Sequence, residues 1–155
     1  LAAKPSRRRP PLSSNVRPPK ANNESILAQL GAAMFDHVGI GVSNLLESKA
    51  FFLQALAPLK ATLLMEGPYG VGIGQHNKPS LWLSQTQEHP AHLHIAFVAA
   101  SRAEVDAFYK AALAAGGKDN GAPGLRPHYH ANYYGAFVTG PDGHNIEAVC
   151  HKPEA

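Results

Sequence analysis

Apolar and polar residues alternate through residues 35–42 (FDHVGIGV): Val38, Ile40 and Val42 share one face, His37, Gly39 and Gly41 the other. That period of two predicts a half-buried strand. Ser43 or Asn44 can then cap a helix, with Glu47 near its start and Leu45, Phe51, Phe52, Ala55 and Leu56 on its apolar side. Pro58 should stop it. Short strands are predicted at 60–66, 70–76 and 79–84, with turns at 66–69 and at Asn77-Lys78. The order is β-α-β-β-β.

The same order returns after a polar linker at 85–91. Leu93, Ile95 and Phe97 alternate against His92, His94 and Ala96, and Ser101 precedes an amphipathic run bearing Val105, Phe108, Ala112 and Leu113. Gly116-Gly117 should end that helix. Laying His37 on His94, an offset of 57 residues, brings Phe51 onto Phe108, Phe52 onto Tyr109 and Leu56 onto Leu113. Two copies point to a duplicated module, not to an array. Residues 118–131 read as a loop, 132–139 as a strand, 140–143 as a turn and 144–151 as the last strand. The expected class is α+β, with modules at about 34–84 and 92–151 in one domain, 34–155.

Composition changes the picture mainly at the front. Residues 1–33 hold six basic residues and one acidic; the remainder holds eight basic and ten acidic, with all nine histidines. The basic excess therefore belongs to a Pro-rich leader, read as flexible except for a short helix at 24–33, and a nucleic-acid partner is not expected of the folded part. No apolar run has the length of a membrane span, and the start lacks the pattern of a secretory signal. One cysteine, Cys150, excludes an intramolecular disulfide and fits a reducing, cytoplasmic setting.

The candidate chemistry lies on the polar faces. His37 neighbours Gly39 and Gly41, and His94 neighbours Ala96; such small residues leave open volume where a packed core would be full. Glu147 falls mid-strand, with Ile146 and Ala148 facing the other way. Two imidazoles and a carboxylate are the donor set of an open mononuclear metal site. Three unconnected surface or structural residues would give the same spacing. Arg126, His128, Tyr129, His130, Asn132, Tyr133 and Tyr134 crowd the approach to the strand beside Glu147. Of these, His130 is the candidate acid or base, Tyr134 the candidate donor to a bound oxygen anion, and Arg126 the candidate holder of a substrate carboxylate. Periodicity leaves open whether Tyr134 or Tyr133 faces the cavity. His92 is read as edge or surface, and His76, His89, His144 and His151 as bland.

Three segments, FDHVGIGVSNLLESKAFF, LHIAFVAASRAEVDAFY and the terminal GAFVTGPDGHNIEAV, give the chain a resemblance to the vicinal oxygen chelate superfamily. That superfamily includes glyoxalase I, extradiol dioxygenases and the bleomycin and fosfomycin resistance proteins. The resemblance runs from Met34 to His151. It implies two β-α-β-β-β modules curving into an incomplete barrel around one divalent ion (Fe2+, Mn2+, Ni2+ or Zn2+), with His37, His94 and Glu147 at the ligand positions. A fourth ligand usual in glyoxalase I, a glutamate in PSLWLSQ, is replaced by Trp82, which favours the three-ligand type.

The resulting expectation is a metal-dependent enzyme acting on a small molecule with vicinal oxygens. Fe(II) ring cleavage is preferred over glyoxalase-like lyase, isomerase or resistance-type transferase chemistry. A metal-free drug-binding protein is the alternative from another class. Small members of the superfamily commonly pair, so a homodimer is expected.

Overall fold

The computed structural model describes residues 35–68, 70–88 and 91–153. The leader and the helix expected at 24–33 lie outside the described residues. The folded unit is Phe35–Ala155.

Its first module runs β1 (Val38–Val42), α1 (Leu45–Leu56), a 3-10 turn (Ala57–Leu59), β2 (Thr62–Gly67), β3 (Gly70–Gln75) and β4 (Lys78–Gln85). The second runs β5 (His94–Val98), α2 (Arg102–Ala114), β6 (Lys118–Leu125), β7 (Tyr134–Thr139), a 3-10 turn (Pro141–Gly143) and β8 (Asn145–Cys150). The two sheets have equivalent orders, β1-β4-β3-β2 and β5-β8-β7-β6. In each, the first and last strands of the module are parallel and the other pairs antiparallel. The duplication read from the sequence is thus a duplication of topology, and the sheets do not close on each other.

Both helices begin as their sequences dictate. The Asn44 side chain accepts from the Glu47 N–H at 3.2 Å and Ser101 Oγ accepts from the Glu104 N–H at 3.2 Å. Each cap satisfies an amide that the helix itself leaves without a partner, worth about 1 kcal/mol. Glu104 reaches back to the Ala100 N–H at 2.6 Å, a reciprocal bond at the helix entry. Pro58 stands in the 3-10 turn that follows α1, and the left-handed Lys60 closes it.

One core serves both modules. Ile40, Val42, Phe51, Phe52, Val71, Ile73 and Leu83 are buried in one cluster with Val105, Phe108, Ala136, Val138, Ile146 and Ala148. Phe51 reaches across: a Cβ at Gly140 would stand 2.8 Å from its ring. At the sheet ends, Asp142 accepts from the Ser43 N–H at 3.1 Å and also from its hydroxyl. This pair ties the end of β1 to the turn before β8.

Two local expectations are corrected. The hairpin between β3 and β4 turns on His76 and Asn77, both at positive φ, and not on Asn77-Lys78; Lys78 already pairs with Gln75. A two-residue loop with both residues left-handed matches the twist of the strands it joins. Residues 118–125, expected as loop, form β6. Gly121, Pro123 and Gly124 hide the alternation, and the pairing with β7 survives through register shifts at 119–121 and 121–124. Such bulges and a proline are tolerated at a sheet edge, which is where β6 lies. Among the described residues, no helix is long and apolar enough to cross a membrane.

Candidate functional site

In β8 the alternation sends Ile146, Ala148 and Cys150 to the core, leaving Glu147 on the opposite face. It stands between Ala96 on β5 and Phe137 on β7. Although it lies on the face away from the helices, Glu147 is only 1 % exposed. A buried carboxylate needs partners, and it has two. His94 Nε2 lies 2.8 Å from Oε2, and the Tyr133 hydroxyl donates to Oε1. The Tyr133 phenol is pushed well above its ordinary range, first by burial and then by its bond to Glu147; it stays a donor. Gly135 makes room for this pair: a Cβ there would sit 3.0 Å from Glu147 Oε1 and 3.0 Å from Tyr133 Cε1.

The imidazole of His94 has one side in solvent, its side chain being 55 % exposed. Its ring lies 6.1 Å from that of Phe137, and the Arg126 guanidinium lies 5.6 Å from Phe137 on β7. The segment from Arg126 to Tyr133 is a closed turn, with Arg126 N–H donating to the Tyr133 carbonyl at 2.7 Å and Tyr133 N–H to that of His130 at 3.0 Å. Rings line its exit: Tyr129 and His151 each stand 5.1 Å from Tyr133, and His130 stands 5.8 Å from His151. His130 Nδ1 accepts from the Asn132 N–H at 3.3 Å, leaving Nε2 available.

Tyr134 belongs elsewhere. Its hydroxyl donates to Asp106 of α2 at 2.8 Å, and Arg102 lies 5.2 Å from its ring, so it packs on the helix side. His37 stands just before β1, in the first module. It is 58 % exposed and its Nδ1 lies 3.1 Å from Asp36, whose carboxyl is held below its ordinary range by Lys78 first and His37 second. Within one chain, then, the structure joins His94 to Glu147 and leaves His37 apart. Among the described residues, no three of His, Cys, Asp and Glu converge as a metal cage. His94 and Glu147 themselves fit a divalent ion: an imidazole nitrogen and a carboxylate oxygen side by side on an open sheet face are donors such ions take.

In the first sheet, the position equivalent to Glu147 is held by Trp82, between Gly39 on β1 and Gly72 on β3. Its indole leans over Gly72, where a Cβ would meet ring carbons at 3.3 Å, and is half-buried. A cavity of about 270 Å³ between α1 and the 140–143 turn, bounded by Glu47, Phe51, Lys118 and Pro141, contains none of these groups.

The sequence pattern left Tyr133 and Tyr134 as alternatives and chose Tyr134, whereas Tyr133 is the one that meets Glu147; it read His151 and His144 as bland. His144 is buried at 1 % exposure, and its Nδ1 accepts from the Leu93 N–H at 3.1 Å. The signal for Tyr133 was its parity with Phe137, but only the register across the β7–β8 turn converts parity into a face.

The fold is shared with several solved structures. A glyoxalase/bleomycin resistance protein from Albidiferax ferrireducens T118 is 28% identical over 78% of this chain and 100% of its own, with a TM-score of 0.62. A glyoxalase/bleomycin resistance protein/dioxygenase family enzyme from Burkholderia phytofirmans PsJN is 17% identical over 76% of this chain and 98% of its own, with a TM-score of 0.60. The lactoylglutathione lyase of Agrobacterium tumefaciens is 16% identical over 77% and 95%, with a TM-score of 0.58. No curated protein matches the chain significantly. A family model matches residues 34–148, and the chain belongs to the Glyoxalase/Bleomycin resistance protein/Dioxygenase superfamily.

Proposed function

We propose that the protein is a divalent-metal-dependent enzyme acting on a small molecule with two adjacent oxygens. The observation that carries this reading is Glu147: a carboxylate buried on the open face of a sheet, braced by Tyr133 and touching an accessible histidine.

His94 and Glu147 would hold the ion from one chain, and His37 would complete the set from a second copy in a homodimer. What supports the pairing is that His37, exposed just before β1, does not converge with His94 and Glu147 within one chain. When bound, the ion supplies Lewis-acid polarisation of the paired substrate oxygens. Tyr133 fixes Glu147 through Oε1 and directs Oε2 toward His94. His130, with Nε2 available and His151 beside it, is the proton carrier of this reading. Trp82, where a fourth ligand would otherwise stand, favours two histidines and one carboxylate, the ligand set of Fe(II) oxygenases. Ring cleavage of a catechol-like substrate is therefore the first reaction to assay, and glyoxalase-type isomerisation with Mn, Ni or Zn the second.

The test is metal content of protein purified without chelator, for the parent chain and for His37→Ala and Glu147→Ala. The expected result is stoichiometric metal lost in both variants. Mixing the two variants should then restore about a quarter of the sites, because half of randomly paired dimers regain one intact site of two. Absence of metal after reconstitution, with both variants folded, would overturn the enzyme reading in favour of a metal-free binding protein, followed by Trp82 fluorescence.

A further inference from the structure

Arg126 follows directly on β6, the edge strand of the second sheet. Its Nη2 donates to the Ala122 carbonyl at 2.7 Å and its Nη1 to the Leu125 carbonyl at 3.3 Å. Among the described residues, no carboxylate forms an ion pair with it. Five N–H groups in a planar fork, less the two used, leave three donors with no acceptor among the described residues.

The fork is also held in place. A Cβ at Gly124 would come within 2.9 Å of Nη1, and one at Gly121 within 3.6 Å of Nη2 and 3.0 Å of Phe137 Cδ2. Two glycines thus open the slot in which the guanidinium lies, two carbonyls anchor it there, and the ring of Phe137 faces it at 5.6 Å. An arginine kept only for solubility would extend freely into water, and this one is half-buried and tethered. Fixing the fork beforehand removes much of the entropy cost of binding a ligand.

Its position relative to Glu147 follows from the strand register. Phe137 pairs with Glu147 on one side and with Gly121 on the other, so Glu147, Phe137 and the Arg126 slot form one row across β8, β7 and β6. Two strand spacings separate its ends, about 10 Å. The row reads as carboxylate and histidine, flat apolar ring, then unpaired cation.

We infer that Arg126 and Phe137 form a carboxylate subsite. The ligand is a small organic acid whose flat apolar body lies over Phe137 and whose carboxylate takes the Arg126 fork. This rests on the proposed function for its direction, since the acid's other end, about 10 Å away by the same strand spacing, is where the vicinal oxygens would meet His94 and Glu147.

The subsite can be tested without metal. On chelator-treated full-length protein, binding of 2-naphthoate and of neutral 2-naphthamide is followed by fluorescence anisotropy at low salt. The acid should bind about tenfold more tightly than the amide, as expected for charged hydrogen bonds on a partly exposed site. Arg126→Gln should remove the preference, and Arg126→Lys should keep part of it, with circular dichroism confirming the fold of each. Equal binding of acid and amide by the parent chain, or a preference that survives in Arg126→Gln, would overturn the inference. Acid preference in a chain that takes no metal would sink only the enzyme reading. Metal binding without acid preference would sink only the subsite.

Discussion

Tyr133 and Tyr134 are neighbours in the chain, yet their hydroxyls bond carboxylates on opposite faces of one sheet: Tyr133 to Glu147 and Tyr134 to Asp106. The first bond braces the candidate site and the second holds β7 to α2.

That division predicts different consequences for two conservative changes. Tyr134→Phe should cost about 1 kcal/mol of stability in urea unfolding and leave metal affinity unchanged. Tyr133→Phe strands a buried carboxylate oxygen, so about 1–3 kcal/mol should be lost, and calorimetric titration with Mn2+ or Zn2+ should show altered affinity. Equal metal affinity in all three proteins would show that Tyr133 does not position Glu147.

The glycines around the site should not be equivalent. Gly135→Ala drives a methyl against Glu147 Oε1 and Tyr133, and metal affinity should fall while the chain still folds. Gly39→Ala meets open space and should change stability by no more than about 0.5 kcal/mol. Calorimetry and urea titration of the two variants side by side check both statements.

His144 should make stability depend on pH. Burial pulls its pKa below the ordinary 6.5, with Asp142 opposing and His92 reinforcing. The unfolded chain therefore takes up the proton first. Its contribution is complete above about pH 6.5 and is lost as pH falls from there through the depressed folded value. Protonation would also place a hydrogen on Nδ1, against the Leu93 N–H it now accepts. Unfolding free energies between pH 7.5 and 5 should slope downward toward acid, and His144→Gln should flatten that slope.

Asp142 is predicted to tie the modules together. It sits at φ 58° and accepts two bonds from Ser43. Asp142→Ala forfeits both and places alanine in a left-handed conformation, for a loss of about 2 kcal/mol. Asp142→Asn, which tolerates that conformation and keeps an acceptor, should lose about half as much. Thermal unfolding of the two variants measures the difference.

The modules, their helices, the cap at Ser101 and the choice of Ser43 or Asn44 for the other helix were legible because each depends on local pattern; the structure selects Asn44. The faces of His94 and Glu147 were legible for the same reason: strand parity places both opposite the core. The tyrosine was not. Thr139 pairs with Asn145, which leaves 140–144 as the connection and sets Phe137 against Glu147. Had Thr139 paired with His144, every face on β7 would have reversed. That choice is made by the Pro141–Gly143 turn together with the burial of His144, the second a tertiary event. Strand β6 was hidden because Gly121, Pro123 and Gly124 erase alternation while main-chain pairing persists. The separation of His37 from His94 was likewise out of reach, since each module predicts its own sheet but not how two sheets face.

Trp82 and Glu147 occupy matching places in two copies of one scaffold. Duplication here let the centres of the two sheets diverge while their buried sides stayed in one core. One offers an indole to an incoming molecule while the other keeps its acid, although both rest on the same core. A lineage built on such a plan can acquire new substrates by mutating the half that carries no charge at its centre.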